Sequence, residues 1–543
     1  MMLIRRVVKP QTLKYLRPQS IGTRWRWFST ASSATGGDMY RTGDMETSPF
    51  HRGALPKFDQ FTAEDFERAV DSEYANILAK LDELSGGNIV LASPSDYKQL
   101  QLAKDEFERT VRIIRHLNGV ANTEQVREIN ERVQKKETQV ESAWAQNPYL
   151  YEYHQNISSE GPASSGLTLD KKAQFRSSKI ACREAELTGI SLPADKRSKY
   201  ARLMEEESAL GSKFSNNIID SIKGWKLVLK DHNSVSAIPS LIKQQMAENY
   251  QTKVSTSDTI TPDGEKGPWL LTLDPTVIVP VLQYCDDRET RRQLYFGHIS
   301  KASELGEGGD NREIIDKILA IRQEQADMLG YNNFAELRLT RNMARTPENV
   351  LEFLDNLRSE CYEKAKEEIA EVQNFAASHG FEQDLQPWDV PYWSEKLKES
   401  RYGINAEELR DYFPLPRVLN GLFKVIEQVF QVEVSELATQ KDGAPKTLLT
   451  SPDSKQPVVP VWDENVYFFL LKDKVSQTPI GGFYLDPYAR PESKSGGAWM
   501  DECCERSSNI SAEESQEPFI LDGIRLPVAY VVCNQVSRAN VIF

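Results

Sequence analysis

Apolar positions along most of the chain recur three and four residues apart, the spacing that puts side chains on one face of a helix. Thr62-Ala63-Glu64-Asp65 reads as an N-terminal cap, after which Phe66, Val70, Tyr74, Ile77, Leu78 and Leu81 form one stripe. Ser93-Pro94 opens a second helix carrying Tyr97, Leu100, Phe107, Val111 and Ile114. Further helical periodicity covers 123–146, 169–188, 195–222, 311–330 and 346–378, the last begun by Thr346-Pro347-Glu348 with proline at a first-turn position. Core packing explains every one of these stripes. No repeat of fixed period is visible.

The texture changes near 457. Val461–Leu471 and Gly481–Leu485 are rich in aromatic and β-branched residues and flank the polar turn Lys472–Thr478, which predicts a β-hairpin. Gly496-Gly497-Ala498-Trp499 interrupts the pattern, 505–517 reads as a polar acidic loop, and Leu526–Cys533 reads as one more strand. The expected architecture is mainly α, with a small antiparallel sheet near the C-terminus.

The 543 residues are 39% apolar and 27% charged, a globular composition, and the longest apolar runs fall far short of the ~20 residues of a membrane-spanning helix. The first 37 residues carry seven cations (Arg5, Arg6, Lys9, Lys14, Arg17, Arg24, Arg26) and no acid before Asp38. Small hydroxylated residues follow, and Arg26-Trp27-Phe28-Ser29 resembles a processing site. This is the composition of an organellar transit peptide, with mitochondrial matrix favoured over plastid. Without those seven cations the net charge moves from −14 to −21, so nucleic acid is not an expected partner. The expected organisation is a transit peptide over 1–37, a linker over 38–55, a helical region over 56–345 and a second region with the sheet over 346–543.

Chemistry-bearing motifs are scarce. The six histidines (His51, His116, His154, His232, His298, His379) are nowhere closer than 38 residues, so no HExxH or HxxxH spacing exists. A helical zinc site needs two imidazoles at i and i+4 aimed at one ion, a third ligand, and a carboxylate to deprotonate the bound water. No GxSxG elbow or Walker loop occurs, and the glycines at 306, 308 and 309 sit among acids. The six cysteines have no CxxC spacing; adjacent Cys503 and Cys504 match neither a zinc knuckle nor a redox pair, and reduced structural thiols are expected.

Longer segments carry more. Arg115–Val120, Glu186–Pro193, Leu210–Asn217, Pro280–Cys285, Leu329–Tyr331 and Asn342–Ala344 resemble the thimet-oligopeptidase family of zinc peptidases, in its oligopeptidase A branch. So do Leu385–Asp389, Tyr412–Pro414, Phe483–Arg490, Gly496–Asp501 and Leu526–Tyr530, and their order over about 55–535 makes chance agreement implausible. The resemblance implies an elongated, two-lobed helical body with a channel, zinc on an HEFGH-type helix, and hydrolysis of short peptides, including cleaved targeting peptides. It also implies a small sheet beside the active site, with Gly496, Gly497, Ala498 and Trp499 near bound peptide; the alternative for Trp499 and Tyr484 is plain core packing. The match stops near Gln535, and Val536–Phe543 departs from it. The expectation is therefore that this chain binds no zinc and cleaves nothing alone, with a non-catalytic peptide-binding or regulatory protein as the alternative. Loss of the helices that follow in the family would also expose apolar surface and lower solubility.

Overall fold

The computed structural model describes residues 55–535, apart from 59–61, 87–90, 92–93, 160–167, 255–262, 307, 405, 454–456, 491–492 and 509–518. The basic leader and nearly all of the linker lie outside the described residues, as does most of the expected acidic loop at 505–517. Fifteen α-helices and eleven short strands are formed among those described, a mainly α fold.

The predicted stripes become helices α1 (Ala63–Ser85), α2 (Pro94–Val120) and α3 (Glu124–Ala145). Thr62 caps α1 as expected: its hydroxyl accepts from the Asp65 amide at 3.3 Å while the Asp65 carboxylate accepts from the Thr62 amide at 2.8 Å. Next come α4 (Pro148–Ser159), α5 (Leu169–Leu187) and α6 (Ala194–Gly224). Strands β1 (Leu227–Leu229) and β2 (Trp269–Leu271) form an antiparallel ribbon around α7 (Ser240–Lys253). Helices α8 (Pro275–Tyr284), α9 (Arg288–Ile299), α10 (Arg312–Met328) and α11 (Phe334–Leu339) follow, then α12 (Pro347–Ser378), α13 (Val390–Tyr402), α14 (Ala406–Arg410) and α15 (Leu415–Phe430).

Several of these went unpredicted for identifiable reasons. Helix α8 carries Pro275 at its start and Pro280 inside, which breaks the sequence signal although Asp274 caps it. Helix α15 carries one apolar stripe at helical spacing that was passed over in the sequence; Leu419 and Phe423 on it are buried, while Val418, Leu422, Val425 and Val429 are exposed. Exposed apolar side chains also run along α12, including Leu351, Phe353, Leu354 and Leu357. Within the family-like stretch Leu385–Asp389, the fully buried Asp389 carboxylate takes Arg288 at 2.8 Å and Arg291 at 3.0 Å, tying α9 to the start of α13.

The remaining strands are β3 (Val432–Leu437), β4 (Thr439–Gln440), β5 (Val459–Pro460), β6 (Tyr467–Asp473), β7 (Pro479–Tyr488), β8 (Trp499–Cys504), β9 (Ile520–Leu521), β10 (Ile524–Arg525) and β11 (Val528–Gln535). Five make one sheet in the order β3-β6-β7-β11-β8. The predicted hairpin is present as antiparallel β6 and β7, although β6 starts at Tyr467 rather than Val461. Two further expectations need correction. The main sheet is mixed, because β11 runs parallel to β7, a pairing reached only through the long excursion from 489 to 527. And Trp499 does not merely interrupt the pattern; it opens β8, which closes one side of the sheet.

The largest apolar core joins the two textures. Phe66, Val70 and Ile77 of α1, Phe107, Val111 and Ile114 of α2 and Val126, Ile129 and Val133 of α3 pack with Phe468, Tyr484, Val528, Tyr530 and Val532 of the sheet. The sheet is thus buried on one face against the first three helices, an arrangement that fixes where β8 can lie.

Candidate functional site

The family-like stretch Phe483–Arg490 forms the end of β7 and the turn beyond it, and it holds a buried charge cluster. The carboxylate of Asp486 is fully buried. It accepts from both terminal nitrogens of Arg490 at 2.7 and 2.8 Å, from Lys494 Nζ at 2.8 Å and from the Trp462 indole at 3.1 Å. Burial alone raises a carboxyl pKa, but the hydrogen bonds and charges of Arg490 and Lys494 outweigh it and hold Asp486 below the usual range. Asp463, 3.4 Å from Arg490 Nε, supplies the second negative charge that balances two cations. The Lys494 ammonium also donates to three backbone carbonyls, those of Asp486 at 3.1 Å, Tyr488 at 2.8 Å and Cys533 at 2.6 Å. One buried cation thereby pins the end of β7, the end of β11 and the start of the following loop.

That loop carries Gly496, Gly497 and Ala498 to the surface, where all three are exposed. The Ser495 amide donates to the Gly119 carbonyl at the end of α2 (2.8 Å), and the Asn534 side chain donates to the carbonyls of Ser495 (3.1 Å) and Gly497. Gly497 has φ +101°, a conformation side chains resist, so glycine is required there by backbone shape rather than by crowding. Trp499 is half-buried: it packs against the main core, and a Cβ on Gly119 would come within 3.3 Å of its ring. The structure therefore brings Gly496, Gly497 and Ala498 together on one exposed turn and lets Trp499 anchor it. For Trp499, core packing is the alternative that this placement shows.

From Trp499 the chain runs as β8, with Met500 68% exposed and Glu502 also exposed. Its inner side pairs antiparallel with β11, and among the described residues no strand pairs with its outer side. The family resemblance implies an edge strand in this sheet able to pair with an extended peptide, but the Gly-Gly signal masked its position at Trp499–Cys504.

The histidines do not converge here. His116 stacks on Tyr530 inside the core, and burial pushes its pKa down to about 3, so it is neutral. His154 is bonded to Ser178 Oγ at 3.2 Å and the Tyr97 hydroxyl at 3.1 Å. Among the described residues no group of three or more His, Cys, Asp or Glu side chains is placed to hold a metal ion. No described helix is long and apolar enough to cross a membrane.

Comparison with known proteins bears directly on this sheet and its surroundings. The model of peptidase family M3 matches residues 281–540, and that of the neurolysin/thimet oligopeptidase N-terminal domain matches 94–197. The chain is 33% identical over 483 residues to the organellar oligopeptidase A, chloroplastic/mitochondrial, of Arabidopsis thaliana, covering 89% of this chain and 56% of that protein. It is 30% identical over 484 residues to oligopeptidase A of Salmonella typhimurium, covering 89% of this chain and 64% of that protein. It therefore spans between about half and two thirds of the length of these relatives. With matching segments at both ends of the described fold and in the expected order, the chain belongs to peptidase family M3, the thimet-oligopeptidase family, in its oligopeptidase A branch.

Proposed function

We propose that this chain forms the peptide-binding part of an organelle-imported zinc-dependent oligopeptidase, that short extended peptides lie along β8, and that these 543 residues do not themselves hydrolyse them. The observation that carries the binding step is the edge of β8, flanked by the exposed Gly496–Ala498 turn. An extended peptide added there gains main-chain hydrogen bonds on a strand whose position is held by the buried Lys494 and Asp486. Specificity would then come from alternate side chains, Met500 and Glu502 being the exposed ones on this strand.

Zinc is the metal of this family, and when bound it supplies an activated water and a Lewis acid. The residues described here do not fit it: no suitable ligand group is assembled among them, and the sequence contains no HExxH. Peptide positioning, not bond cleavage, is what this set of side chains supports. The seven-cation leader and the organellar name of the Arabidopsis relative support import, with the mitochondrial matrix as destination.

The test uses the purified full chain. Fluorescence anisotropy should report micromolar binding of short unstructured peptides, metal analysis should find no stoichiometric zinc, and quenched peptide substrates should stay intact. Absence of binding overturns the β8 assignment; stoichiometric zinc with chelator-sensitive cleavage overturns the inactivity.

The second reading, a non-catalytic peptide-binding or regulatory protein, draws on the same edge strand. Transcripts that continue in frame into an HExxH-encoding segment favour the peptidase; their absence from the locus favours the regulator.

A further inference from the structure

Helices α3 and α6 lie side by side and run in opposite directions. Asn216 Nδ2 donates to Glu131 at 3.0 Å, the Ser212 hydroxyl to Gln134, and the Thr138 hydroxyl to Ser208 at 3.4 Å, so positions rise on one helix as they fall on the other. Small side chains meet in the middle, Thr138 of α3 with Ser208, Ala209 and Ser212 of α6, and there the helices leave an open groove of about 560 Å³. That is the size of a small-ligand site. The floor hydroxyls of Ser212 and Thr138 are engaged inside the protein, with the carbonyls of Ser208 at 3.2 Å and Gln134 at 3.0 Å. What a ligand meets is the charged rim.

Charge along that rim falls in bands. Lys135 of α3 and Lys213 of α6 stand at one end, because Gln134 lies opposite Ser212. Glu205 and Glu206 stand two turns away along α6, about 10 Å of helix rise, and Arg202 follows one turn beyond them. At the opposite end Glu131 lies one turn beyond Lys135. Among the described residues, Lys135, Lys213, Glu205, Glu206 and Arg202 form no ion pair with one another or with a neighbour. The other faces of the same helices do pair their charges: Arg132 with Glu67 at 2.6 Å, Lys136 with Asp71, Arg322 with Glu207 at 2.7 Å and Lys199 with Glu324. The groove thus keeps a cationic band and an anionic band open at a fixed separation.

We propose that this groove binds a peptide of about three residues with both ends free, its ammonium at Glu205 and Glu206 and its carboxylate at Lys135 and Lys213. An extended chain advances about 3.3 Å per residue, so three residues span the two bands. The floor of small side chains lets the peptide backbone lie close to both helices. A simple anion or cation meets only one band, whereas a zwitterion of this length meets both. Length is selected at each end: a longer peptide carries its ammonium on to Arg202 or its carboxylate on to Glu131, and like charges repel. Peptide-bond hydrolysis is the class of reaction that supplies such a ligand, since every cut creates one new ammonium and one new carboxylate. The groove shares no residue with β8, and the inference does not depend on peptide binding there.

The experiment titrates the purified full chain with trialanine and reads binding by saturation-transfer NMR. Most of the rim is exposed, so each charge contact contributes modestly and the expected Kd is millimolar. N-acetyl-trialanine and trialanine amide should each bind about three- to five-fold more weakly, and pentaalanine more weakly than trialanine. E206Q and K213M should each weaken trialanine by a similar factor. Binding along β8 is distinguished because main-chain pairing needs neither free end and neither of these side chains. No millimolar binding of trialanine, end-blocked peptides binding as well as the free one, or pentaalanine binding as tightly as trialanine overturns the proposal. Those comparisons are made on the unmodified chain, so they stand whatever the variants do.

Discussion

The imidazole of His116 lies flat on the phenol ring of Tyr530, centroids 3.6 Å apart and planes 9° from parallel, with the Trp462 indole edge-on at 4.2 Å. Helix α2 and strand β11 meet at this stack. Neither imidazole nitrogen has a hydrogen-bond partner, and with a pKa near 3 the ring stays neutral in the folded protein. Unfolding returns it to about 6.5, so between those values the unfolded chain binds a proton that the folded chain does not. Stability contributed by His116 therefore falls as pH drops from about 6.5 towards 3, by up to about 1.4 kcal/mol per pH unit. In H116F that dependence should vanish. Urea unfolding at pH 7 and pH 5 should show an acid loss smaller by about 2 kcal/mol in the variant; an unchanged loss would remove His116 from the account.

Removing Lys494 should cost more than its single charge suggests. K494M leaves Asp486 with Arg490 as its one bonded cation and frees three carbonyls, and truncating one partner of a buried ion pair typically costs about 3–5 kcal/mol. Because the folded-state pKa of Asp486 is depressed, its contribution is present above the ordinary carboxyl pKa and is lost as pH falls through the lower folded value. Chemical denaturation of K494M at neutral pH tests the magnitude, and a change under 1 kcal/mol contradicts the clamp.

The two glycines of the exposed turn should behave differently. G497A places a Cβ on a residue with φ +101° and should destabilise by about 1–2 kcal/mol. G496A meets nothing closer than 3.8 Å and should be near neutral in stability. Equal effects in thermal or urea unfolding would mean that backbone shape is not what selects glycine at 497.

Along α12 and α15 the exposed apolar side chains should drive self-association of the isolated chain. Replacing Phe353 and Leu354 of α12 with glutamate should raise solubility and shift light-scattering mass towards the monomer. Monodisperse unmodified chain with cooperative unfolding would show that this surface is tolerated.

Much of the helical framework is legible in the sequence because each helix declares itself locally. The stripe Phe66, Val70, Tyr74, Ile77 predicts a buried face, Thr62 and Asp65 predict its start, and both are found. Helix α8 was hidden by Pro280, which breaks the helical signal inside the element, whereas helix α15 does carry a readable stripe from Leu415 to Phe430. The candidate peptide edge was half visible: the Gly496-Gly497 signal located the turn, but β8 has only six residues and alternates poorly because of its bulge.

By itself, then, the sequence determined the mainly helical class, the β6–β7 hairpin, the family, and the absence of any HExxH among these residues, all of which depend on near neighbours or on order along the chain. Tertiary structure alone decided the rest. It paired β11 with β7 in parallel, brought Lys494 to Asp486, Tyr488 and Cys533, and left β8 at an edge. Those outcomes depend on pairing register and on which charges are buried together, and neither is written in local periodicity.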